Sequence, residues 1–81
     1  MWGEVPPNGT IVVYGDHLYC VDEAAQGDRV KLESLVDGEL KYAKNVSKTN
    51  IQKYDENIHE NFTGANGETY KDLKDALDNV A

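Results

Sequence analysis

Two histidines, one cysteine and fifteen carboxylates are the side chains with which this chain could carry out acid–base, nucleophilic or metal chemistry. Their spacing argues against all three. His17-x-x-Cys20 falls in a β-type run, where positions three apart point to opposite faces, so the pair cannot hold one metal ion without distortion. His59 stands by itself in a polar stretch. Asp55-x-Asn57-x-His59 opens like a calcium loop, but Glu60 occupies the place of the turn glycine and Asn66 that of the bidentate glutamate. No nucleophile has a base and an orienting acid at a workable spacing, and a chain of 81 residues leaves little room for a pocket of ~300 Å³ or more. The expectation is a non-enzymatic protein without catalytic residues, metal or cofactor.

The elements that position these side chains are legible from periodicity and turn chemistry. Residues 10–14, Thr-Ile-Val-Val-Tyr, are β-branched and aromatic, and Gly15-Asp16 places glycine first, as a type II′ hairpin requires. The returning strand is 17–21. A two-residue loop pairs Val13 with Leu18 and Ile11 with Cys20 on a core face, leaving Val12, Tyr14, His17 and Tyr19 on a semi-apolar, aromatic face. Residues 28–35 alternate apolar and charged as a half-buried strand does. Asp37-Gly38 marks the next reversal. A three-residue loop, 36–38, pairs Leu32 with Tyr42 and Ser34 with Leu40 and gathers Val30, Leu32, Leu40 and Tyr42 on one face; a two-residue loop instead sets Leu32 with Ala43 and leaves Leu40 and Tyr42 opposite. The three-residue loop is expected, although it strands Leu35 on the far face. Val46 and Ile51, separated by residues 47–50, suggest a short turn and a fifth strand ending near Tyr54.

This order, carried by Gly9-x-x-Val12-Val13, Asp16-x-x-Tyr19-x-Val21, Val30-x-Leu32, Asp37-Gly38 and Val46 with Ile51, resembles an SH3-like small β-barrel, and within that class the Tudor and KOW modules. The resemblance covers about half of the chain. It implies a five-stranded antiparallel barrel lined by Ile11, Val13, Leu18, Val30, Leu32 and Leu40, and a role in binding peptides, modified side chains or nucleic acid.

Around residues 9–54 the expected organisation is an extended arm over 1–8, a polar connecting loop over 55–68 and an amphipathic helix over 69–81. Prolines 6 and 7 hold the arm extended, so that Trp2 and Val5 either cover the end of the barrel or project from it. Thr69 and Asp72 fit a capping box, and Tyr70, Leu73, Ala76, Leu77 and Val80 form one apolar stripe. A helix that short is marginal alone, so the stripe must dock on the barrel or on a partner, and docking on its own barrel is expected. Cys20, on the core face, reads as a small buried hydrophobe. Neither a secretory leader nor a run of 18 apolar residues is present, which points to a cytoplasmic protein with no membrane segment.

Charge narrows the partners. The net charge is −7. Residues 1–40 carry eight acids against Arg29 and Lys31, residues 55–81 carry seven against Lys71 and Lys74, and residues 41–54 carry Lys41, Lys44, Lys48 and Lys53 with no acid. An acidic body repels phosphate backbones and speeds encounter with basic proteins. Asp22, Glu23, Asp55, Glu56, Glu60, Asp72, Asp75 and Asp78 are therefore candidate contacts to a basic protein partner, the last three forming a stripe along the helix that could also imitate DNA phosphates. Tyr14 and Tyr19 add an aromatic surface, a partial cage for a cationic group. The alternative is nucleic-acid contact through Lys41, Lys44, Lys48 and Lys53 with Tyr54 as a stacking ring. The bland account of these lysines is pairing across strands with Glu33 and Glu39.

Overall fold

The computed structural model describes residues 6–24 and 27–79, with the side chains of residues 23 and 24 outside the description. The expected placements of Trp2, Val5 and Val80 fall outside it. The first hairpin joins β1, Ile11–Tyr14, to β2, His17–Ala24. Its pairs include Val13↔Leu18 and Ile11↔Cys20, the register that a two-residue loop dictates. Gly15 and Asp16 both have positive φ, 58° and 66°, so the turn is of type I′ rather than II′. Aspartate is among the few side chains that tolerate this left-handed region.

β3, Arg29–Val36, and β4, Glu39–Ser47, meet through a second turn of the same kind, with Asp37 at φ 52° and Gly38 at φ 81°. The loop has two residues, not three, and the pairs are Leu35↔Leu40 and Glu33↔Tyr42. After Tyr42 the register slips: Leu32 faces Lys44 and Val30 faces Val46, leaving Ala43 as a bulge. A matching slip in the β2–β3 pairing leaves Asp22 unpaired between Val21 and Glu23. A bulge bends a strand and raises its twist, and these two flank the Val21↔Leu32 pair.

The chain continues through a one-turn 3-10 helix, Lys48–Asn50, into β5, Gln52–Lys53, which pairs with β1 as Val12↔Lys53 and Val13↔Gln52. The sheet order is β4-β3-β2-β1-β5. β4 and β5 are its edges, so the hydrogen-bonded ladder does not close into a ring.

Both faces of this sheet are buried. Val12, Tyr19, Val21, Val30, Leu32, Val46 and Ile51 pack together on one face with Tyr14 beside them. Ile11, Val13, Leu18 and Cys20 form the other with Leu73, Leu35, Leu40 and Phe62. The six residues expected to share one lining are therefore divided: Val30 and Leu32 face one way, Ile11, Val13, Leu18 and Leu40 the other. Tyr42 is not a core residue; it is 61% exposed.

The second face is covered by α2, Tyr70–Asp78. Its capping box is complete: the Asp72 N–H donates to Thr69 Oγ1 at 3.2 Å and the Thr69 N–H to Asp72 Oδ2 at 3.0 Å. These bonds hold the Asp72 carboxyl below its ordinary value, chiefly through the backbone donor. Leu73 is fully buried, with Tyr70 and Leu77 packed beside it. No helix among the described residues is long and apolar enough to cross a membrane.

Residues 55–68 are more than a connecting loop. A single-turn helix, α1, Glu56–His59, is capped by Asp55, whose Oδ1 accepts the Asn57 N–H at 2.9 Å. His59 is buried, and its Nδ1 accepts the Asp55 N–H at 3.0 Å. Its ring lies edge-on to Phe62, with centroids 5.0 Å apart. The Leu18 N–H then donates to the Thr63 carbonyl at 2.9 Å, and Gly64 forms a parallel bridge with Leu18.

Candidate functional site: an acidic groove beside the C-terminal helix

The two-residue turn at 37–38 tips the end of the β3–β4 hairpin toward the last turn of α2. An open groove of about 690 Å³ lies between them. Its apolar lining comes from Leu40, Ala76 and Leu77, and its carboxylates from Asp22, Glu33 and Glu39. Each has a local cause. Glu33 pairs with Cys20 and so stands on the helix side of the sheet, while Asp22 is the residue that the β2 bulge leaves out of register. Glu39 follows the turn directly.

Asp22 and Glu33 are half-buried, and among the described residues neither carboxylate has a hydrogen bond or ion pair. Burial, and then the Asp22 charge, push the Glu33 carboxyl above its ordinary value. A cation beside it would act in the opposite direction. Glu39 does have a cation, since Lys41 Nζ lies 3.0 Å from its Oε2, but both are well exposed and such pairs are worth about 0–1 kcal/mol. That pair runs along one strand, not across two; the cross-strand neighbour of Glu33 is Tyr42.

The remaining acidic candidates are dispersed. Asp55, Glu56 and Glu60 cluster at α1, where Asp55 is occupied as the cap. Asp72 belongs to the capping box, and Asp75 and Asp78 are exposed on α2. The side chain of Glu23 lies outside the described residues.

Tyr14 and Tyr19 are brought together, 6.3 Å apart and edge-on, but Tyr19 is buried. Lys44 Nζ stands 5.2 Å and 5.4 Å from their two ring centres. The partial aromatic cage thus holds the protein's own lysine. Within the basic band, Lys41 and Lys44 are engaged as described, and Tyr54 stacks on Tyr70 at 4.2 Å. Lys48 lies in the 3-10 helix and Lys53 in β5.

Cys20 is fully buried, and burial, then the Glu33 and Glu68 charges, push its thiol up to about 12. His17 is exposed on the opposite face and His59 is enclosed, so these three side chains form no common centre. No group of three or more His, Cys, Asp or Glu side chains able to hold a metal ion occurs among the described residues.

The meeting of Glu33 with Leu40 was least visible from sequence, because it depends on the length of the β3–β4 turn, whereas Leu77 lies on the expected helix stripe. The Asp37-Gly38 dipeptide was the available signal, being the preferred type I′ pair. No protein-family model matches the chain, and comparison with curated proteins and with solved structures finds no match either.

Proposed function

We propose that this chain is a small non-enzymatic binding module, built on an SH3-like barrel, that engages a basic protein partner through its acidic surface. Support for the barrel is the meander order, in which β5 returns to β1, and the buried lining on one face that draws on all of β1 to β4 and on Ile51. The observation that carries the binding role is an asymmetry of charge. Asp22 and Glu33 stand uncompensated beside a groove, while Lys41 and Lys44 of the basic band are held by Glu39 and by Tyr14 with Tyr19. Charge of this kind steers a basic partner and disfavours phosphate.

Anisotropy titrations with a labelled polyarginine peptide and a labelled single-stranded oligonucleotide test the proposal. Peptide binding that weakens with salt, and no oligonucleotide binding, are expected. Micromolar oligonucleotide affinity with a steep salt dependence would overturn it in favour of the lysine band.

A further inference from the structure

Resting on the acidic-partner reading above, we infer that the groove between the β3–β4 turn and the C-terminal end of α2 receives an arginine side chain from a basic segment of a protein partner. Shape and charge together define the occupant. A purely apolar ligand would leave Asp22 and Glu33 facing it without water or counter-charge, which is costly for half-buried carboxylates. A compact, strongly hydrated cation would gain nothing from Leu40, Ala76 and Leu77. Arginine satisfies both: three methylenes can lie along the apolar lining while a planar, weakly hydrated guanidinium meets the two carboxylates. The bulge at Asp22 and the pairing of Glu33 with Cys20 bring the two acids to the same groove. Ion pairing would also relieve the repulsion between the two acids.

The test uses the isotope-labelled full chain and an acetylated, amidated peptide of alternating glycine and arginine, followed by amide chemical shifts at low ionic strength. A second peptide has each arginine stem shortened by two methylenes. Shifts centred on Asp22, Glu33, Leu40 and Leu77 are expected, with affinity about fivefold or more weaker for the shortened peptide. Asp22→Asn with Glu33→Gln should weaken the arginine peptide about fivefold or more while the remaining amide spectrum stays in place. Should that double variant not fold, Glu33→Gln alone and the peptide comparison still decide the matter. Equal affinity for both peptides, or shifts confined to Asp55, Glu56 and Glu60, would overturn the groove assignment and leave the acidic-partner reading standing. Groove shifts that depend on protein concentration without peptide would assign the groove to a second copy and overturn it too. Absence of any peptide-induced shift would overturn both.

Discussion

Replacing Gly64 by alanine offers a stringent check on the packing of residues 55–68. Gly64 does not have a positive φ, so the backbone itself accepts a side chain there. The obstacle is Glu68, whose carboxylate lies where the new methyl group would go, with its Cγ 2.7 Å from that position. The two residues cannot simply separate, because the Gly64 N–H donates to the Glu68 carbonyl at 2.7 Å. Glu68 must therefore swing outward from a site where it is 8% exposed, and its Oε1 gives up the Asn66 N–H at 3.4 Å. Two methylenes returned to water cost about 1.6 kcal/mol, and the long hydrogen bond adds about 0.5 kcal/mol. Rehydration of the carboxylate offsets part of this. Gly64→Ala is thus expected to destabilise by about 1–3 kcal/mol, a range typical of overpacking. Melting should fall by roughly 4–8 °C for each kcal/mol in a domain of this size. In a Glu68→Ala background the same substitution should cost about 0.5 kcal/mol or less, a coupling of at least ~0.5 kcal/mol in the double-mutant cycle. Equal costs in the two backgrounds, measured by urea unfolding, would refute the proposed clash.

Three further substitutions probe other parts of the fold. His59→Phe keeps the ring packing against Phe62 but removes the acceptor of the Asp55 N–H, and should lower stability by about 1–3 kcal/mol in chemical denaturation. Tyr42→Ala should lie within about 0.5 kcal/mol of the parent, as a surface change does, whereas about 3–5 kcal/mol would restore the register in which this ring is buried. Cys20 ionises near 9.0 when unfolded and near 12 when folded, so the unfolded chain binds fewer protons between those values and stability falls as pH rises through them. Other groups titrate there as well, so the informative quantity is the difference: Cys20→Ala should show a shallower decline in urea midpoint, and identical declines would contradict the burial of the thiol.

Local signals were legible wherever one dipeptide or one cap settles the geometry. Gly15-Asp16 fixes the β1–β2 pairs, and Thr69 with Asp72 starts the C-terminal helix, because each depends on residues adjacent in sequence. The β3–β4 pairs depend on Ala43, a bulge that no residue type announces, and a one-residue slip exchanges the faces of everything beyond it. The groove depends on the turn instead: Leu40 shares a face with Glu33 only when the reversal at 37–38 has two residues, and Glu33 takes the helix side through its pairing with Cys20. The burial of Val12 and Tyr19 was obscured differently: alternation distinguishes a covered face from a wet one, and gives no such contrast when a sheet is covered on both sides. His59 reads as an isolated polar residue until its i+3 neighbour Phe62 and the Asp55 cap place it inside a packed turn.

Among the described residues no strand pairs with the outer edge of the nine-residue β4, the kind of template on which another chain could extend the sheet. The irregularity at Ala43 divides its outward donors and acceptors into two short runs that no straight incoming strand can match at once, and Lys41 sets a charge beside that break. The feature that bends the sheet thereby also guards against stacking of one molecule upon the next.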